Sequence, residues 1–393
     1  MIGKEISKIE LVDVESLIAT AVSEGKTIEY KLKLPGNTDS DKKEFLADIS
    51  SFANTSGGDL LFGIKEENGI PTKIDGVEVT DRDFLVRRYE NLIRDGIEPR
   101  IVVSTKFIDL TEDTVVVLFR VQKSWFGPNR VIYKGYDKFF GRNSAGKYPL
   151  DTSELKTAFN LSQTLTDKVR VFREDRVNQI HANNLPLPFY ETAKVILHII
   201  PLSAFDQQNT LDMELLASKV RDMAPIYSSG WNNRVNLEGF LTYSGGLEDK
   251  SYSYVQLYRT GIIEAVDGLL LQPRTVDNTE AETFIPSVAF EENLLKAYTR
   301  YVSLLRDLDI TAPLVIGLTL TGVKGYEMAT SNHFFRRDYY PIDRDILNLP
   351  EILVEDMNVD AKTIMRPTFD LIWNACGYKG SQNFDSEGNW VNR

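Results

Sequence analysis

The chain has 393 residues, 42% hydrophobic and 10% aromatic, and its 57 acidic against 45 basic side chains give a formal charge of -12. That length and composition fit a globular protein of two or three domains with a sizeable core, and the overall charge argues against a uniformly basic nucleic-acid binder. Cys376 is the only cysteine and His181, His198 and His333 the only histidines, which leaves no internal disulfide, no thiolate zinc cluster and no histidine-rich metal motif; a Ser-His-Asp triad is not expected either.

The charge is unevenly spread. Residues 1–185 hold 27 basic and 29 acidic side chains, the remainder 18 and 28, so any phosphate-binding surface belongs in the first half. No apolar run has membrane-spanning length, and Met1 to Glu10 lacks a signal peptide's apolar centre, so a cytoplasmic protein is expected.

Residues Lys8 to Ser23 read as an amphipathic helix broken at Glu24-Gly25. Thr27 to Leu34 alternates strictly, with Ile28, Tyr30, Leu32 and Leu34 on one face of a strand and Glu29, Lys31 and Lys33 on the other. A helix follows to Asn54, with Asp41 and Glu44 as capping candidates, then Gly57-Gly58, a strand over Asp59 to Ile64 and a hairpin turn at Asn68-Gly69. Gly63 inside that strand points to a close backbone approach. Asp81 to Asp95 reads as a helix; Ile101 to Ile108, Thr114 to Val121, Arg130 to Tyr133 and Lys138 to Arg142 as strands; Ser153 to Asn160 as a closing helix. The charged helix Asp167 to Asn183 then leads into a second, acidic α+β stretch. Its strands are expected at Ala193 to Ile200, Asn236 to Tyr243, Ser253 to Leu257, Gly261 to Leu271 and Pro313 to Leu320, and its helices at Glu282 to Leu308 and Ala361 to Trp373. The predicted domains are 1–160, a linker helix 161–188, and 189–393.

The stretch FANTSGGDLLFGI from Phe52, preceded by EGKTIEYKLK from Glu24, resembles the Schlafen core, or AlbA-2 (divergent AAA-4) domain, over roughly Ser16 to Leu155. The resemblance implies an N-terminal mixed sheet with helices, in an α+β protein. It also implies a site: in the members that are ribonucleases, three carboxylates bind a divalent metal and cut RNA. Glu24 matches the first, Glu29 the second, and Glu66 the position that is usually Asp. Hard cations such as Mg²⁺ or Mn²⁺ take oxygen ligands, and Lys31 beside Glu29, with Lys33, is placed to neutralise a phosphate. Strand parity runs against Glu66, setting it on the side of Phe62 and Ile64 unless the strand ends or bulges near Lys65; Glu67 is a fallback ligand. Against this stands the plain reading of three solvated acids and an ordinary charged strand face.

Between Arg120 and Lys147 the chain carries seven basic residues and one acid, Asp137. Lys123, Arg130, Lys134, Lys138, Arg142 and Lys147 interleave there with Trp125, Phe126, Tyr133, Tyr136, Phe139 and Phe140, a pattern suited to phosphates and unpaired bases. Phe139 and Phe140 read better as core. Gly36 to Lys43 lacks the second glycine and Lys-Ser/Thr of a Walker A loop, so ATP is not expected. Asn54-Thr55-Ser56 formally matches a glycosylation site, but Asn54 and Thr55 read as turn-holding residues. His198 and His333 read as structural, and the cluster Trp231 to Arg234 with Asn236 as loop-shaping, with ligand sensing as the alternative in a second domain expected to be a sensor or assembly module. The resulting expectation is a metal-dependent endoribonuclease acting on structured, tRNA-like RNA, working as a homodimer because the chain shows one lobe, with stress or phage defence as an analogy from the resemblance. The alternatives are a non-catalytic RNA- or DNA-binding regulator using the same basic face, and a protein-interaction scaffold.

Overall fold

A computed structural model describes residues 1–205, 211–245, 250–273, 282–330, 340–385 and 387–391; the His333 reading lies outside them. The protein is a mixed α+β chain that divides into two compact units, Met1–Thr164 and Leu165–Arg393.

Unit 1 opens with helix α1 (Leu11–Ala19) and strand β1 (Ile28–Lys31), followed by α2 (Asp39–Ala53), β2 (Gly58–Phe62), β3 (Ile64–Glu67), β4 (Ile70–Ile74) and β5 (Val77–Glu78). After α3 (Arg82–Gly96) come β6 (Ile97–Glu98), β7 (Val103–Asp109), β8 (Thr114–Val121), β9 (Arg130–Tyr133), β10 (Tyr136–Asn143) and β11 (Gly146–Pro149). β8 is the spine of the first sheet: β7 lines one edge, while β2 and β5 share the other, and β1 adds to β2 in parallel. β2 is buried throughout because both faces are covered, and its one charged residue, Asp59, is held by Arg120 at 2.8 Å. Leu60 and Phe62 pack among the α2 residues Phe45, Ile49 and Phe52, and Leu61 packs with Val14 and Leu17 of α1. The second sheet, in the order β11-β10-β9-β6, lies against α2 through Val131 and Phe140.

Several local expectations change. α1 is shorter than Lys8 to Ser23 at both ends: Glu10 is extended at φ -121°, so the helix starts only at Leu11, and beyond Ala19 the chain turns away with Ala21 at a positive φ of 50°. α2 is capped by Thr38, whose hydroxyl accepts from the Asp41 N–H at 3.1 Å, and not by Asp41 or Glu44. β1 ends at Lys31, where its carbonyl accepts from Gly63 N–H, so Leu32 is exposed and Leu34 packs with the α2 side instead of alongside Ile28. Gly63 itself sits at φ 95°, and a Cβ there would lie 2.8 Å from the Gly76 Cα, the close approach its position implied.

Helix α4 (Thr152–His181) is continuous, taking in both the closing helix and the charged helix read separately from the sequence. Unit 2 contains β12 (Lys194–Pro201), α5 (Met213–Ser218), β13 (Asn232–Val235), β14 (Gly239–Gly245), β15 (Ser251–Tyr258), β16 (Ile263–Asp267), β17 (Phe284–Pro286), α6 (Ser287–Asp307), β18 (Leu314–Thr321), β19 (Glu327–Ala329), β20 (Ile346–Asn348), β21 (Ile352–Val354) and α7 (Ala361–Ala375). Among the described residues its main sheet runs β13-β14-β15-β16-β12-β18-β20, with β21 also on β18, every pair antiparallel. α6 and α7 contribute to the larger core with Val195, Val255 and Ala265, while Val177 and Ile180 of α4 pack with Ile196, Tyr254 and Val266, the neighbouring residues of the same strands. Trp231 donates to the Val220 carbonyl and Asn236 to Gln256.

Candidate acidic site and nucleic-acid interface

Glu24 follows α1 in the break that Gly25 completes. Its Oε1 accepts the Tyr30 N–H at 2.8 Å, and its backbone N–H donates to the Gly69 carbonyl at 2.7 Å. Glu66 reaches the same turn: the β3–β4 ladder bulges between Lys65 and Glu66, and Glu66 Oε2 accepts the Gly69 N–H at 2.6 Å. The bulge lifts the parity objection to Glu66. A Cβ added at Gly69 would touch the Glu24 side chain at 3.6 Å, so two of the three acids border one hairpin turn. Glu67 instead pairs with Lys65 at 3.2 Å.

Glu29 behaves differently. It is 6% exposed, and each of its oxygens has a cation: Lys31 at 2.5 Å on Oε1 and the Arg142 guanidinium on Oε2. Arg142 also donates from Nε to the Gly25 carbonyl at 2.9 Å and from Nη1 to Ser51 Oγ at 3.3 Å, with its guanidinium carbon over the Phe52 ring at 4.2 Å. Arg142 is thus a buried ion-pair partner, 2% exposed, and not the surface phosphate ligand its position in the basic run implied. Burial lowers its pKa to about 10 while the nearby Glu24 charge opposes the shift.

The sequence pattern missed Asp48 and underrated Lys147. Asp48 occupies the buried stripe of α2 at 2% exposure, where Lys147 Nζ reaches its Oδ1 at 2.7 Å and also meets Glu44. Burial pushes the Asp48 carboxyl up, and Lys147 and Lys31 pull against it. The available signal was a charged residue at 48 between Phe45 and Phe52 on one apolar stripe, which requires a partner.

Tested as a seat for a divalent cation, this donor set does not fit. Both Glu29 oxygens are ion-paired, and among the described residues no three His, Cys, Asp or Glu side chains converge into a group that would hold a metal.

The remaining cations lie elsewhere. Lys33 is exposed beyond β1, in an open depression of about 430 Å³ that it shares with Leu32, Leu34 and Glu78. Lys123 sits over the Trp125 ring at 4.3 Å. Arg130 is shared between Glu98 at 3.1 Å and Asp137 at 3.3 Å, and Lys134 binds Asp39 at 2.8 Å. Lys138 is exposed, 5.4 Å over Tyr136, and Lys43 of α2 lies 5.5 Å over the same ring. Tyr136 in turn stacks on Phe140 at 5.9 Å, and Lys134 lies over the neighbouring Tyr133 at 5.7 Å. Phe140 is core, as expected; Phe139 is half-buried against Phe159 of α4.

The architecture so described is a small α+β lobe with a glycine-turned buried strand at its centre and an acidic turn beside it. Residues 24–151 match the family model described as Schlafen, AlbA_2, and the chain carries a domain of that family there. No curated protein matches the chain. Among solved structures, the DIP2311 protein from Corynebacterium diphtheriae is 19% identical over 37% of this chain and 27% of its own, with a TM-score of 0.26. The chain therefore spans about a quarter of that relative's length, and the likeness carries no argument. No described helix is long and apolar enough to cross a membrane.

Proposed function

We propose that the N-terminal unit binds single-stranded RNA or DNA through the face formed by the start of α2 and the β9–β10 hairpin, and that it acts as a regulator without cutting. One observation carries this reading: Tyr136 is flanked by lysines from two different elements, Lys43 and Lys138, and is backed by Phe140. A ring backed by an aromatic, with two long flexible cations over it, is suited to stacking an unpaired base once the lysines swing aside to meet the flanking phosphates. The family assignment supports the reading without fixing the nucleic acid.

Fluorescence anisotropy on a labelled single-stranded oligonucleotide tests it. Tyr136→Ala is expected to weaken binding about tenfold, the scale of one missing base stack. Lys43→Ala with Lys138→Ala is expected to reduce the salt slope by about one for each phosphate that is no longer neutralised. Unchanged affinity and slope in both variants would favour a protein-interaction scaffold.

The second reading is the metal-dependent endoribonuclease acting on structured, tRNA-like RNA, in stress or phage defence by family analogy. Its support is the bulge that brings Glu66 to the turn bordered by Glu24. It further needs Glu29 released from Lys31 and Arg142. Incubation of full-length protein with structured RNA and Mg²⁺ or Mn²⁺ separates the readings: cleavage that Glu24→Ala with Glu29→Ala abolishes, at retained binding, establishes the nuclease. A homodimer, in which two chains supply two lobes, belongs to either reading and is checked by sedimentation equilibrium.

A further inference from the structure

We infer that Arg142 is the resident counter-ion of the acidic site, an arginine standing where the family resemblance implies a divalent cation. The inference rests on how completely the guanidinium is held. Glu29 from β1, Ser51 and Phe52 from α2, and the Gly25 carbonyl from the α1–β1 break surround it, and Asp48 Oδ1 lies 3.8 Å from Nη1. Its backbone is fixed as well, because the Arg142 N–H donates to Thr55 Oγ1 at 3.0 Å and β10 pairs Arg142 with Lys147 of β11. A cation restrained in this way, at 2% exposure, is part of the lobe's interior and not a side chain waiting at the surface.

The choice of arginine follows from the donor geometry. The planar fork serves Glu29, Ser51 and Gly25 in different directions while its carbon lies 4.2 Å over the Phe52 ring, which a lysine ammonium cannot do. With Lys31 on the other Glu29 oxygen and Lys147 on Asp48, the two buried carboxylates already face three cations. A divalent ion brought to Glu29 would meet like charge unless both Lys31 and Arg142 withdrew, and Arg142, at 2% exposure, would have to leave the packed interior to do so.

Thermal melting of the full-length chain with and without Mn²⁺ tests this. The wild type is expected to melt at the same temperature in both conditions, and Mn²⁺ electron paramagnetic resonance is expected to show no bound ion. Arg142→Met is expected to melt several degrees lower and to recover part of that loss with Mn²⁺, because the ion then stabilises the bared acid by binding only the folded state. Glu29→Gln with Arg142→Met should regain stability without Mn²⁺ and lose the response. Wild-type melting that rises with Mn²⁺ and ceases to do so in Glu29→Gln would overturn the inference, as would an Arg142→Met chain as stable as the wild type. Should Arg142→Met fail to fold, Arg142→Lys replaces it: a marked loss despite retained charge supports the fork, and wild-type stability in that variant refutes it. None of these variants touches Lys43, Tyr136 or Lys138, so failure here and failure of the nucleic-acid reading are distinguishable.

Discussion

Asn54 shows how much one side chain carries in this lobe. Its Oδ1 accepts the Asn129 N–H at 2.6 Å, while its Nδ2 donates to the Asn129 and Phe140 carbonyls, both at 2.9 Å. It thereby joins the end of α2 to the segment entering β9 and to β10, where the sequence suggested only local turn bonds. Asn54→Ala leaves the Asn129 N–H and the Phe140 carbonyl without that partner, while the Asn129 carbonyl keeps the Ser50 hydroxyl at 2.9 Å; the cost is about 1–3 kcal/mol for each group that water cannot reach. A lower urea midpoint is the expected result. Asn54→Asp should do at least as much harm, since it turns the donor to two carbonyls into a further acceptor, and an unchanged midpoint in both would show that water replaces the bonds. The candidate site was legible to the same limited extent. Glu24, Glu29 and Glu66 stand out as acids beside a family motif, but the partners that decide what Glu29 does, Arg142 and the Asp48–Lys147 pair, come together only when β10 and β11 fold over α2. No spacing rule connects residue 29 to residue 142.

Elements were readable where one periodicity ran uninterrupted. α2, α3, β8, β9 and the Asn68-Gly69 hairpin lie close to where apolar spacing and turn residues put them, since there the local preference and the packing agree. β1 fell short because alternation continues past Lys31 after hydrogen bonding to β2 has ended. α4 was read as two helices because the polar stretch around Ser162 to Thr166 interrupts the apolar pattern, although it contains neither Gly nor Pro to stop the backbone. Gly63 marks a demanding junction, between β2 and β3, where its positive φ and the nearness of Gly76 exclude a side chain. Gly63→Ala is expected to cost on the order of 1–3 kcal/mol for the backbone conformation, and more for the clash. Gly25→Ala, where an added Cβ meets nothing within 4 Å, should be near neutral by the same denaturation measurement. Equal effects at the two glycines would contradict the geometry.

At the scale of the whole molecule, stability against pH should follow buried charges in unit 2 more than the net charge of -12. Arg176 of α4 grips Glu264 through two bonds of 2.8 and 2.9 Å, and His198 and Tyr254 complete the seam. Burial pushes the Glu264 carboxyl up, but Arg176 and His198 overcome it and hold the pKa at about 2; burial pushes His198 down. Asp267, at the end of β16, moves the other way: burial raises its pKa to about 7 despite the Leu270 and Leu269 N–H groups on Oδ1 and the nearby Ser253 hydroxyl, and among the described residues no group donates to its Oδ2 within hydrogen-bond distance. Its folded state therefore favours the proton. The associated stabilisation is full below the ordinary aspartate pKa of about 4 and is lost as pH rises through about 7. His198 contributes with the opposite sign, since a depressed folded pKa weakens the fold as pH falls below about 6.5. A wild-type pH profile alone would blend the two. The difference between Asp267→Asn and wild type isolates the carboxyl, because His198 is common to both and the amide oxygen can still accept from Leu269 and Leu270. That difference is expected to grow in favour of the amide between pH 4 and 8, by up to roughly 4 kcal/mol. Urea midpoints of the full chain at pH 5 and pH 8 check it, and a constant difference across that range would mean that Asp267 ionises as a solvated aspartate does.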